Sequence, residues 1–393
     1  MAVYLDHAAT TPLDPRVLES MLPYLTEHHG NPSSIYTSGR RARQALDEAR
    51  ETVARTLGGK PREIVFTSGG SESNNLALKG VAWAASARGR HLVTSSVEHK
   101  AVIHACGVLE RQGWEVTYLP VDRYGRVDPT NAAAAIGETT TLVSVMAANN
   151  EVGTIQPVAE IGAVCRERRV TFHTDAVQAA AFLPPDVDAW QATLVSLGAQ
   201  KLYGPKGVGA LYIRQGTAIL PQQQGGSQER QRRAGTENVA GIVGFATALG
   251  LVHNDAAARE AENTRQAALR DRLIAGLTGL EGVELTGHPT ERLPNSASVV
   301  VEGVEGGDLV AALDLEGVEV STGSACTSGS TEPSHVLLAM GLTPRLAHGS
   351  LRVTVGRGTT TADVDRALDV VETCVRRLRE GVAVPAAAAV ATA

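Results

Sequence analysis

Ser196-Leu197-Gly198-Ala199-Gln200-Lys201-Leu202-Tyr203-Gly204-Pro205-Lys206-Gly207 carries an apolar run, Ala192 to Leu197, into a glycine-rich turn that holds a lysine. An apolar run this short, followed at once by polar residues and glycine, reads as a buried strand ending at the rim of a sheet. Six more such runs lie between about residues 62 and 213: Ile64 to Phe66, Leu92 to Thr94, Val116 to Leu119, Leu142 to Val145, Val170 to Phe172 and Val208 to Ile213. Amphipathic stretches separate them, such as Pro157 to Arg169, with Val158, Ile161, Val164 and Cys165 on one face. Strands alternating with helices predict an α/β fold with a mainly parallel, seven-stranded sheet covered by helices.

Further on, a long helical pattern from about Asp255 to Gly279 leads to a second region. There Ser298 to Glu302, Val318 to Ser321 and Leu351 to Val355 read as strands, and Ala362 to Arg379 as a closing helix. This predicts a small α+β domain. The expected division is a large domain over 16–255 and a small one made of 1–15 with 256–384, which carries a cysteine loop at about 321–334. An alanine-rich tail, 385–393, is expected to be disordered.

Composition narrows the function. The chain has 393 residues and a formal net charge of −6, which argues against nucleic acid as the main ligand. The arginine groups 230, 232, 233 and 166, 168, 169 read as solvated helix faces or anchors for a small anion. Four cysteines, Cys106, Cys165, Cys326 and Cys374, show no C-x-x-C pair, so neither a disulfide framework nor a metal site is expected. A reducing, cytoplasmic setting suits them. Neither a secretory leader nor a run long enough to span a membrane is expected.

Polar or ionisable residues follow five of the strands directly: Ser68 to Glu72, Glu98-His99-Lys100, Asn149-Asn150-Glu151, Asp175 with Gln178, and Gln200-Lys201. In an open α/β sheet the ligand crevice lies at the carboxyl ends of the strands. A lysine desolvated there has a lowered pKa and becomes nucleophilic towards an aldehyde. With a carboxylate able to face a pyridinium nitrogen, Lys201 and Asp175 supply what pyridoxal phosphate chemistry asks of a protein. The glycine turn at Gly69-Gly70-Ser71 opens a helix and could hold a phosphate, although a plain helix cap reads equally well. His99 could stack on a cofactor ring and move protons. Cys326 sits among small hydroxyl and glycine residues from Ser321 to Ser330, where a thiol would be accessible, whereas the other three cysteines read as packed. Arg352 interrupts a strand pattern and could fork onto a carboxylate, with Arg357 competing for that role.

Several motifs together, in order, resemble the pyridoxal phosphate-dependent cysteine desulfurases. They are Tyr4 to Pro12, Gly30-Asn31-Pro32-Ser33-Ser34, Ser68 to Asn75, Glu98-His99-Lys100, Asn149-Asn150-Glu151, Gly204 to Gly207, Arg233 to Asn238 and Gly323-Ser324-Ala325-Cys326. The resemblance runs from residue 4 to about 380. It implies fold type I, the aspartate-aminotransferase-like architecture, a homodimer, and L-cysteine as sulfur donor. The length of the Cys326 loop resembles the long-loop, housekeeping class. By this resemblance Lys201 carries the cofactor, Asp175 pairs with its ring nitrogen, Gln178 and Asn150 meet its phenolic oxygen, and His99 lies against the ring. Gly70, Ser71 and Gln200 hold the phosphate, joined by Thr236 from the partner subunit. Arg352 and Asn31 bind substrate, and Cys326 takes the sulfur, leaving alanine and a persulfide for an acceptor protein.

Three positions depart from that pattern. Gly198 and Gln200 stand where a serine and a histidine are usual before the lysine, and Tyr36 stands where a histidine is common. An amide keeps one hydrogen bond but never carries charge, so cofactor retention is expected to be weaker. Rival readings are another enzyme of the superfamily (a selenocysteine lyase, an epimerase or an aminotransferase) or a scaffold protein that has lost catalysis. Iron–sulfur cluster assembly, tRNA thiolation, DNA sulfur modification and cofactor synthesis are all open as destinations for the sulfur.

Overall fold

Twelve strands occur among the residues that the computed structural model describes, 2–323 and 332–381. They are β1 Val3–Tyr4, β2 Ile64–Thr67, β3 His91–Ser95, β4 Glu115–Leu119, β5 Thr140–Ser144, β6 Thr171–Asp175, β7 Leu194–Gly198, β8 Gly209–Ile213, β9 Val283–Leu285, β10 Ser296–Val301, β11 Val318–Glu319 and β12 Ser350–Thr354. All seven apolar runs read from the sequence fall in one seven-stranded sheet of order β2-β8-β7-β6-β5-β3-β4. Only β8 runs against its neighbours; the other pairings are parallel. Strands β2, β3, β5, β7 and β8 are buried along their whole length, which is why they read as unbroken apolar runs rather than alternating ones. β4 closes one edge and leaves Glu115 and Tyr118 exposed.

The long helix spans Ala256–Thr278, with the Asp255 carboxylate accepting from the Ala258 N–H and Gly279 following its end. The closing helix, Thr361–Arg379, begins on a reciprocal cap between Thr360 and Asp363. The helix Val239–His253 escaped the periodicity reading because it is buried on most sides against the helices Pro15–Thr26 and Thr37–Leu57. A helix apolar all round has no amphipathic stripe to read.

The second sheet is antiparallel, β12-β10-β9, and the strand pair β1–β11 lies beside it, tied in by bridges Asp6 to Thr354 and Ser321 to Arg352. Its core gathers Val3, Leu5, Leu273, Val299, Leu309, Leu351 and Val371, apart from the larger cluster around Phe172, Leu197 and Phe245. The N-terminal segment then crosses to the large sheet. Thr11 N–H donates to the Gln200 carbonyl at 2.9 Å and Asp14 N–H to the Tyr203 carbonyl at 3.0 Å. Those bonds draw residues 8–11 over the end of β7, where the site forms. The tail expected to be disordered, 385–393, lies outside the described residues, as does Cys326.

Candidate active site

Because β2, β3, β5, β6 and β7 share one direction, their carboxyl ends open on the same edge of the sheet. A cleft of about 530 Å³ lies there, lined by Gly70, Ser71, His99, Asn150, Asp175, Gln178, Gln200, Lys201 and Arg352 among others. Nine of the residues singled out from the sequence therefore meet in one place.

At one end the helix Gly70–Ala85 presents its first turn. The first intrahelical bond is Ser73 N–H to the Gly69 carbonyl, so the N–H groups before it stand outside the ladder, a ready anion cradle. Gly69 takes φ 149°, and a Cβ on Gly70 would come within 2.4 Å of Val177 Cγ2, so glycine is required at this turn. Ser68 N–H is held by Glu72 Oε2 at 2.7 Å, and Glu72 pairs with Arg233 at 2.9 Å. Burial would raise the Glu72 pKa, but the bonds from Arg233 and Ser68 outweigh it and hold the carboxyl below its usual range. Arg233 is thus tied to the anion turn through Glu72, which departs from the solvated-face reading of its arginine group and leaves the anion-anchor reading standing. Arg166, Arg168 and Arg169 are exposed, as expected.

At the other end Asp175 closes β6, buried, with one oxygen accepting from Asn74 Nδ2 at 2.5 Å and the other from Val177 N–H at 2.9 Å. Asn74 went unnoticed in the sequence, although it lies one helical turn beyond Gly70. Between the two ends, Lys201 Nζ donates to the Ala8 carbonyl at 2.6 Å and to that of Ala9. Gln178 Nε2 donates to the same Ala8 carbonyl at 2.9 Å. His99 caps the helix Lys100–Arg111, its Nδ1 accepting from Ala101 N–H at 3.1 Å.

Arg352, read as a fork onto a carboxylate, is buried at 2% exposure. Its guanidinium donates to the Asn150 carbonyl and to Asp6 Oδ1, both at 2.8 Å. Arg357 takes a different place: it lies over the Tyr203 ring at 4.2 Å and pairs with Asp14 at 3.1 Å, outside the cleft lining. Two other expected residues do not line the cleft of this single chain. Asn31 is exposed, its Oδ1 accepting from Ser33 N–H at 2.9 Å, and Thr236 is exposed in a loop. Cys106, Cys165 and Cys374 are buried as expected, and burial pushes the first two thiols up to about 12.

Glu98 is the group the sequence did not reveal as unusual. It is fully buried, accepts from Ser95 Oγ at 2.7 Å and Met146 N–H at 2.8 Å, and leaves its second oxygen without a partner. Burial first, and the nearby Asp175 charge, push its pKa up to about 8, against the lowering effect of those bonds and of His99. An anion cradle, a buried carboxylate and an amine between them are a donor set that fits pyridoxal phosphate.

Comparison with known proteins agrees with this geometry. The aminotransferase class-V family model matches residues 3–367. A protein named cysteine desulfurase IscS from Methanosarcina thermophila is 52% identical over 378 residues, covering 96% of this chain and 93% of the relative. One of the same name from Dictyoglomus turgidum is also 52% identical, with 96% and 95% covered. Among solved structures, a NifS-like protein superposes with a TM-score of 0.90 at 39% identity, covering 96% of this chain and all of that one. DndA from Streptomyces lividans does so with a TM-score of 0.76 at 35% identity, covering 89% and 99%. With so much of the chain shared, the protein belongs to the aminotransferase class-V family, among its cysteine desulfurases.

Proposed function

We infer that the protein is a pyridoxal phosphate-dependent cysteine desulfurase that converts L-cysteine to L-alanine and passes the sulfur on as a persulfide. The observation that carries the reading is the meeting of Lys201, Asp175, His99 and the Gly70 turn in one cleft, in a chain 52% identical to named cysteine desulfurases. When bound, pyridoxal phosphate supplies an aldehyde to hold the substrate amine and a ring that accepts charge from its α-carbon. Lys201 would hold that aldehyde, and its Nζ is the group that would take the α-proton. Asp175, kept in place by Asn74 and the Val177 N–H, keeps the ring nitrogen protonated. The Gly70–Ser71 turn and the Gln200 amide hold the phosphate, with Thr236 of a second copy completing it in a homodimer. Gln178 and Asn150 would hold the cofactor's phenolic oxygen, and His99 would pack on its ring and move protons. Arg352, already fixed by Asp6 and the Asn150 carbonyl, orients the substrate carboxylate, with Asn31 beside it.

Cys326 lies outside the described residues, and its role rests on the likeness to the family. Its thiolate bonds to the substrate sulfur as the Cβ–S bond breaks. The carbon fragment gains a proton and leaves as alanine, and the enzyme keeps a persulfide for an acceptor protein. In this reading the large domain, 16–255, supplies the cofactor site, and 1–15 with 256–384 supplies the substrate arginine and the cysteine loop. No single helix among the described residues is long and apolar enough to cross a membrane, and a cytoplasmic location suits the free thiols. A Cys326→Ser variant tests the assignment: it should retain pyridoxal phosphate and still change colour with L-cysteine, yet release no alanine. Alanine release at the wild-type rate would remove Cys326 from the mechanism.

A further inference from the structure

A second cavity, about 320 Å³, lies behind the cleft, and Lys201 and Gln178 stand in the lining of both. It runs between the segment at His7 and Thr11, Tyr203, and the first turns of the helix Ala256–Thr278. Its charge is unbalanced. Arg16 and Arg357 share a single carboxylate, Asp14, at 2.7 and 3.1 Å. Glu262, the one carboxylate in the lining, is engaged by Arg265 at 2.8 Å. Arg259, also in the lining, meets only the His253 imidazole at 3.5 Å, with no carboxylate in ion-pair range among the described residues. Burial lowers the His253 pKa to about 4, so this partner is neutral at pH 7. Arg16, Arg259 and Arg357 thus line a half-enclosed space: Arg16 and Arg357 share the one carboxylate of Asp14, Arg259 has none, and Glu262 is already matched by Arg265. Removing positive charge from water without a counter-charge is costly, and a bound anion offsets that cost. The amides of Asn263 and Asn295 add neutral donors, while Phe182 and Val355 offer apolar wall. The volume stands at the lower end of small-molecule sites.

We propose that this second cavity is a binding site for a small dicarboxylate, held by Arg259 and Arg357 and separate from the substrate carboxylate site at Arg352. Two missing negative charges call for a dianion, and the cavity's size limits it to a short chain. The site stands apart from the desulfurase reading, since binding is measured without turnover. Calorimetric titration of the cofactor-loaded protein with succinate, at constant ionic strength, tests it. Saturable binding is expected, and R259Q should weaken it by about tenfold or more. A258E, which places a carboxylate at the cavity mouth in a first helical turn that tolerates it, should weaken it similarly. Both variants should keep their cofactor content and their KM for L-cysteine, since neither residue belongs to the cleft. No saturable binding would overturn the proposal. So would binding that both variants leave intact, or binding that L-cysteine displaces and R352K abolishes, since either places the anion in the main cleft.

Discussion

At the level of single residues, the departures before Lys201 are explained by space. A Cβ on Gly198 would lie 3.0 Å from Gln200 Oε1 and 3.4 Å from the Gly70 nitrogen, so the bare glycine makes room for the longer amide beside the anion turn. In the proposed site Gln200 would supply a neutral contact to the phosphate, where a histidine is usual in the family that the sequence resembles. Replacing it by histidine should restore a charge that depends on pH. An imidazole is protonated below about pH 6.5 and then makes a charge-assisted bond, roughly twice as strong as a neutral one. Relative to wild type at each pH, Gln200→His should hold pyridoxal phosphate about fivefold tighter at pH 6 and no tighter at pH 8. Cofactor titration of the apoprotein measures this, and equal ratios at both pH values would count against a phosphate contact. Arg352 gives a second test. Lysine keeps the charge but loses the fork that joins Asp6 to the Asn150 carbonyl, so Arg352→Lys should raise the KM for L-cysteine by about tenfold or more while cofactor content stays near normal. An unchanged KM would assign the arginine a purely structural task.

Among the elements, the turn before Thr236 stands out. Glu229, Arg230 and Gln231 all take positive φ, 45°, 55° and 63°, which side chains other than glycine rarely adopt. Strain of about 1–3 kcal/mol per residue persists only where the surroundings enforce it. Here Arg50 does so: it forks onto Glu229 through two bonds of 2.7 Å, both side chains are buried, and Glu229 also accepts from Phe66 N–H at 3.0 Å. Breaking such a pair from one side costs about 3–5 kcal/mol, because the remaining charge stays buried. Arg50→Met should therefore lower the apparent thermal midpoint by several degrees. It should also weaken cofactor retention if the turn places Thr236 in a partner's site. A midpoint within one degree of wild type would show that the strain is relieved elsewhere. None of this was legible in the sequence, since Arg50 and Glu229 are 179 residues apart and each alone reads as a surface helix charge. The large sheet was legible, because strands buried on both faces announce themselves as apolar runs between helices. The helix Val239–His253 was not, because burial on most sides erases its period. The cleft residues at the strand ends were readable as a set. The partners that hold them, Asn74 for Asp175 and the Ala8 and Ala9 carbonyls for Lys201, depend on contacts between distant segments.

For the whole molecule, the buried titratable groups predict how stability varies with pH. Burial lowers the pKa of His7 to about 4, of His173 to about 3 and of His253 to about 4, from an ordinary 6.5. The unfolded chain then binds more protons between those values and 6.5, so stability falls as pH drops through that window. Glu98 acts in the opposite sense. Its folded pKa, raised by burial to about 8 from 4.5, makes the native state the better proton binder in between, so its contribution is complete below 4.5 and is lost as pH rises towards 8. Between 4.5 and 6.5 three histidines outweigh one carboxyl. Above 6.5 only Glu98 still titrates among these four. Stability should therefore peak near pH 6.5 and decline towards pH 8. Glu98→Gln replaces the protonated acid by a neutral group of the same shape that can still accept from Ser95 and the Met146 N–H. Its apparent midpoint should match wild type at about pH 4 and exceed it by a growing margin from pH 4.5 to 8. It should also fall more steeply than wild type between pH 6.5 and 4.5, where the histidines then act alone. Thermal scans across pH 4 to 9 decide the matter: a wild type and variant that decline in parallel above pH 6.5 would mean that Glu98 is already ionised in the folded protein.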